Sequence, residues 1–338
     1  MRNKYFLRSF IIAAVIILLS SFYYLPYYVS KPGMAKELEP IINVENGYDE
    51  QGSFMLTTVR MGRANIYSYA IAKLSKYQEI YPVEAIRKEN ETDEEYNVRQ
   101  LHLMATSKLS AIETAYKKAN IAIYYHYNGV FVLNVMPGMP ADGKLKAGDR
   151  IFKVDGNEFD SSEQFIKYVS GKKEGDEVNF TIERNQKISE AKIPLKVLKE
   201  TGKVGVGISL VDDKEMDVQP KVTIDSKDIG GPSAGLMFSL EIYNQLVEED
   251  LTKGYPIAGT GTIDSDGKVG PIGGIEQKIV AADKAGAAVF FAPNEEGAKD
   301  SNYRAAVKTA KDIKTKMKIV PVDTFDEAVN YLENMKAK

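Results

Sequence analysis

The chain has 338 residues, room for two domains of ~100–200 residues and an appendage. Cysteine is absent and only two histidines, His102 and His126, are present, which excludes disulfides, a thiol nucleophile and a multi-histidine metal site. Forty-four basic residues against 47 acidic ones give a formal charge of -3, so no basic face for nucleic acid is implied.

From Ser9 to Ser30 no residue is charged, and the run from Phe10 to Leu19 is wholly apolar. With its flanks it is long enough for the ~20 residues a membrane crossing needs. Residues 1–8, with Arg2, Lys4 and Arg8, then form a cytoplasmic stub and residues 9–30 an uncleaved anchor that places the rest outside the cell. Bulky Phe22, Tyr23 and Tyr24 follow Ser20-Ser21 where a signal-peptidase site would need small residues. Residues 31–52, with Pro32, Gly33, Pro40, Gly47 and Gly52, read as a spacer.

A strand is expected over Ser53–Val59 and helices around Ile66–Leu74 and from Thr92 to about Ala119. The second helix opens on a capping box, Thr92-Asp-Glu-Glu95, and carries an apolar stripe through Leu101, Met104, Leu109, Ile112 and Ala115. Between residues 121 and 198 the pattern changes to glycine-punctuated strands, Gly129–Val135, Asp149–Gly156 and Glu177–Glu183, with a short helix near Ser162–Ser170. The succession Pro140-Ala141, Gly143, Leu145, Gly148-Asp149, Ile151, Val154-Asp155-Gly156 resembles the signature of bacterial PDZ domains. That resemblance implies peptide docking by strand addition. Tyr127, Asn128, Gly129 and Val130 would form the carboxylate loop, Phe131 and Val132 lie on the receiving strand, and Phe165 and Val169 line the groove helix.

Gly230-Gly-Pro-Ser-Ala-Gly235 opens a helix whose Leu236, Leu240, Tyr243 and Val247 recur at helical spacing. Ser233 at a helix start has backbone N–H groups and a positive dipole end beside it, as an oxyanion requires. The segment also fits the G-x-S-x-G elbow, but no histidine follows Ser233, so a triad of that order is excluded. Lys278, three residues after Ile275 and four before Ala282, projects toward an apolar stripe. Burial lowers a lysine pKa and suits it to act as a base, although a snorkelling structural lysine fits the same spacing.

Taken in order, Gly230–Gly235, Thr260-Gly-Thr-Ile263 and Gly270-Pro-Ile-Gly-Gly-Ile-Glu-Gln-Lys278 resemble the proteolytic domain of Lon proteases. The resemblance covers residues 203–338 and implies a Ser-Lys dyad. Ser233 would be the nucleophile, Lys278 the base and Thr260 the hydroxyl that orients the amine, with Gly230, Gly231 and Ser233 supplying oxyanion amides. Residues 53–120 resemble the opening of the same fold, which makes the PDZ an insertion. The fold class expected is an α+β Lon-type proteolytic domain with a small β-rich PDZ domain and one N-terminal transmembrane helix. No G-x-x-x-x-G-K-[ST] occurs, so no nucleotide is expected; the chemistry calls for no metal or other cofactor. The implied protein is a membrane-anchored, cell-surface serine endopeptidase acting on peptides or proteins, with a homo-oligomer left open. Its rival is a membrane-tethered PDZ adaptor with an inert Lon-like domain.

Overall fold

The computed structural model describes residues 2–88, 91–199, 202–226 and 229–338. Its first part holds α1 (Arg2–Ser21), β1 (Tyr24–Glu37), β2 (Ile42–Val44), β3 (Ser53–Asn65), α2 (Ile66–Leu74), β4 (Glu79–Pro82), α3 (Val83–Ile86) and α4 (Asp93–Lys118). Then come β5 (Ile123–Val135), β6 (Arg150–Val154), α5 (Ser162–Ser170), β7 (Glu177–Arg184), β8 (Lys187–Pro194), β9 (Lys196–Val197), β10 (Val204–Gly205), β11 (Ile208–Val218) and β12 (Val222–Ile224). The last part contains α6 (Gly235–Leu246), β13 (Pro256–Gly259), β14 (Thr262–Ile263), β15 (Val269–Gly270), α7 (Ile275–Lys284), β16 (Val289–Pro293), α8 (Asn302–Asp312), β17 (Lys318–Val322) and α9 (Phe325–Glu333).

The main sheet runs β17-β16-β13-β3-β1-β4. β13 lies parallel to both β3 and β16, whereas β1 is antiparallel to β3 and β4. N-terminal and C-terminal segments thus share one sheet, and its faces follow the alternation of a strand. Phe54, Leu56, Ile257 and Phe291 pack with α4, α6 and α9 on one side. Met55, Ala258, Phe290 and Ala292 pack with α7 and α8 on the other. A second sheet, β11-β5-β6-β7-β8, has its own core around Val130, Ile151, Phe180 and Ile193. α4 begins with the expected capping box between Thr92 and Glu95.

Three expectations change. The anchor at 9–30 is not one helix: α1 stops at Ser21, and residues from Tyr24 onward pair with β3 and β4. The Ser20 and Ser21 hydroxyls donate back to Ile16 and Leu18 carbonyls. The following Tyr-Tyr-Leu-Pro-Tyr-Tyr-Val suits a pleated strand and puts Pro26 where a helix cannot continue. What remains of the uncharged segment as helix is about 20 Å at 1.5 Å per residue, short of a ~30 Å hydrocarbon layer. Among the described residues no helix is long and apolar enough to cross a membrane.

The spacer at 31–52 is likewise built in. Its first residues continue β1, Leu38, Ile41, Ile42 and Val44 are buried in the main core, and β2 pairs with β12. Finally, the β-rich unit does not end at 198, because β11 pairs with β5 from Ile208↔Val135 to Val218↔Ile123.

Leu38→Ala and Ile42→Ala should each lower the free energy of unfolding by about 2–4 kcal/mol, the cost of truncating a buried aliphatic side chain. Denaturant midpoints check this, and a spacer would show no change.

Candidate active site

Ser233 sits in the turn before α6, half-buried, two residues ahead of the first helical residue, Gly235. Gly231 enters that turn with φ +88°, a conformation that favours glycine. Two side chains of the main sheet and its connections meet the serine. Thr260 follows the end of β13, where buried Thr57 of β3 donates to the Gly259 carbonyl at 3.0 Å. Lys278 is in the first turn of α7, which starts at Gly274 in the left-handed region. Ile275 and Ala282 are buried on the same stripe, as the spacing requires.

The Lys278 Nζ lies 2.8 Å from Ser233 Oγ and donates to Thr260 Oγ1 at 2.7 Å. The Thr260 hydroxyl donates its one proton to the Ser233 carbonyl at 2.9 Å. Its oxygen is therefore left to accept from the amine, which fixes the direction of the chain of bonds. Lys278 is 2% exposed and Thr260 0%. Burial pulls the Lys278 amine from 10.5 down to about 7.

α4 braces the serine turn from the other side. The Gly231 N–H donates to the Gln100 carbonyl at 3.2 Å, and the buried Ser107 hydroxyl donates to the Pro232 carbonyl at 3.0 Å. Gly231 is thus withdrawn from the expected set of oxyanion amides. Thr57, Gln100 and Ser107 escaped the sequence analysis. Ser107 had a usable signal, a polar residue inside the buried stripe of Met104, Ala111 and Ala115.

The peptide-docking expectations do not survive in the same form. Tyr127, Asn128, Gly129 and Val130 lie within β5, with Asn128 at a register shift, and form no loop. At Val130, Phe131 and Val132 both edges of β5 are taken, by β11 on one side and by β6 with its preceding turn on the other. A strand with two bonded edges cannot receive a third partner. Phe131 stacks on the His102 ring of α4, centroids 5.8 Å apart, while Val132, Phe165 and Val169 are buried in the unit's own core. Among the described residues the edge strands of this sheet are β11 and β8. β11 lies against α5, whose Ser162 N–H donates to Asp212 at 2.7 Å.

Residues 195–334 match the Lon protease (S16) C-terminal proteolytic domain and residues 107–195 a PDZ domain. The chain carries a Lon-type proteolytic domain and a PDZ domain. The Lon protease of Metamycoplasma arthritidis is 34% identical over 108 residues, 32% of this chain and 12% of that protein. That of Campylobacter jejuni is 32% identical over 146 residues, 40% of this chain and 17% of that protein. The chain therefore matches less than a fifth of these relatives. The PDZ domain of an SdrC-like protein from Listeria monocytogenes is 42% identical across 25% of this chain and 90% of its own, with a TM-score of 0.25. Together the two domain matches and the Lon relatives support a Lon-like, PDZ-containing peptidase.

The buried amine also marks folding stability. Between pH ~7 and ~10.4 the unfolded chain holds a proton on Lys278 that the native chain does not, so this group makes stability rise with pH across that window. Below it the penalty is full; above it the penalty is gone. Lys278→Met should be stabilised relative to wild type most strongly at pH 6 and progressively less toward pH 10, as read from paired denaturant midpoints.

Proposed function

We propose that this protein is an ATP-independent serine endopeptidase of the cell surface, working through a Ser233-Lys278 dyad. The observation that carries the reading is the buried amine, bonded to Thr260 and 2.8 Å from the Ser233 hydroxyl oxygen. Neutral Lys278 spends one N–H on Thr260 and turns its lone pair toward the Ser233 O–H. As the Ser233 oxygen attacks the peptide carbonyl, its proton passes to the amine, and the oxyanion is met by the Gly230 and Ser233 amides at the positive end of α6. Lys278 returns the proton to the leaving amine. Water then attacks the acyl-enzyme, losing a proton to the Lys278 amine, which passes it to the Ser233 oxygen as the carboxylic acid product leaves.

Substrate reaches this site, in our reading, as an extended chain paired to the free edge of β11 beside α5, with the glycine-containing turn at Gly205-Val206-Gly207 ahead of it. Edge pairing uses backbone bonds and so tolerates many sequences, while the adjoining side chains select. Placement at a membrane rests on Arg2, Lys4 and Arg8 in the sequence and on the exposed apolar side chains of α1, among them Phe10, Ile12, Ile16 and Leu19.

Ser233→Ala and Lys278→Ala should each abolish peptide hydrolysis with the fold retained, and the double variant should be no worse, because the two act as one unit. Thr260→Val should lower kcat roughly 10²-fold by misdirecting the amine. In wild type kcat should rise with pH through a midpoint near 7, since the base must be neutral. Turnover by Ser233→Ala would defeat the assignment.

Peptide binding should protect amides of residues 208–213 from hydrogen exchange. Protection confined to residues 129–132 would mean that the docking edge lies elsewhere.

A further inference from the structure

Although the chain as a whole is slightly acidic, its charge is unevenly placed. Residues 1–36 and 51–78 contain no Asp or Glu, yet hold five and four Lys or Arg respectively. The fold brings these two segments together as the β1–β3 ribbon, with α1 at one end and α2 beside it. The Asn65 amide donates to the Ser21 carbonyl at 3.0 Å and Tyr67 shares a hydrogen bond with Ser20, so α2 starts where α1 ends.

α2 is amphipathic in the reverse sense. A surface helix normally turns its apolar stripe to the core. Here small Ala72 is the buried residue, packed with Val29 and Ala64 of the ribbon. The large apolar residues face out: Ile66, Ile71 and Leu74 are 45%, 58% and 91% exposed. With Tyr67 they fill an arc of about 140° at ~100° per residue. Phe22 and Tyr24, between α1 and the ribbon, are also exposed, and Tyr24 pairs with Asn65 at the start of α2.

Beside this arc the ribbon sets Lys31 directly opposite Arg60, on the face that carries Val29 and Ala64. Like charges in register repel. Among the described residues Lys31, Arg60 and Lys73 have no carboxylate within salt-bridge distance, so none of these residues offsets that repulsion. An apolar arc with aromatic neighbours and a rim of cations that lack a carboxylate partner among the described residues suits one kind of surface, in which a hydrocarbon layer lies beneath a plane of anionic headgroups.

We infer that α2, with Lys31 and Arg60, is an interfacial contact that lays this end of the protein against an anionic lipid surface. The contact is separate from any role of α1: it fixes the catalytic domain's height and orientation, with the apolar arc at the acyl boundary and the cations at the headgroups.

Because the chain has no native cysteine, a single introduced thiol reports one place. Full-length Leu74→Cys, labelled with an environment-sensitive dye, is bound to vesicles of phosphatidylglycerol with phosphatidylcholine and to phosphatidylcholine alone. The dye should shift to the blue and be quenched by lipids spin-labelled near the headgroup in the anionic vesicles. The same dye at Glu333→Cys, on α9 at the far edge of the main sheet, should remain in water. Lys31→Gln with Arg60→Gln should weaken the response roughly tenfold in lipid concentration, and 0.5 M salt should act in the same direction. A Leu74 dye that stays water-exposed on protein co-floating with anionic vesicles would overturn the inference. So would a blue shift without lipid that grows with protein concentration, since a second copy of the chain would then be what covers α2. Neither result depends on peptidase activity, so the dyad stands or falls separately.

Discussion

The dry seat of the Lys278 amine is the constraint around which the proteolytic domain is arranged. A primary ammonium is costly to keep in such a place, so burial pulls its pKa down to about 7. That effect needs a wall of apolar packing with polar atoms at only one point. α7 supplies the wall through Ile275, Ile279 and Ala282, and Thr260 with Ser233 supplies the polar point. The sheet holds both ends of this arrangement, since β13 delivers Thr260 and is itself clamped between β3 and β16.

The serine turn is held just as closely, by an element the chain lays down more than a hundred residues earlier. α4 crosses α6 so tightly that a β-carbon on Gly235 would come within 2.9 Å of the Ser107 hydroxyl. The same helix reaches the PDZ unit through His102 on Phe131 and through Glu95, which accepts from Asn134 at 2.8 Å. One helix therefore touches both the serine turn and the strand that backs β11. The PDZ unit is packed against α4, which also braces the serine turn.

The meeting of Ser233, Thr260 and Lys278 was legible in the linear sequence because each travels in a short motif. Gly230–Gly235, Thr260 and Gly270–Lys278 each carry local requirements, a positive φ, a helix start or an i, i+3, i+4 stripe, that depend on neighbours a few residues away. The capping box of α4 was readable for the same reason. Apolar content from Phe10 onward was also plain, but content does not say where a helix ends.

What only the tertiary structure decided are the partners that lie far apart in the chain. Whether residues 24–30 continue a helix or join a sheet depends on β3 and β4 being there to bond them. Whether β5 offers an edge depends on β11, some eighty residues later, which occupies it along its length. Strand pairing has no local signature, because every strand carries the same backbone donors and acceptors and alternation fixes only which face is buried. Burial of the Lys278 amine is of the same kind: its spacing aimed it at an apolar stripe, and the packing of β3, β13 and α8 against that stripe took it out of water.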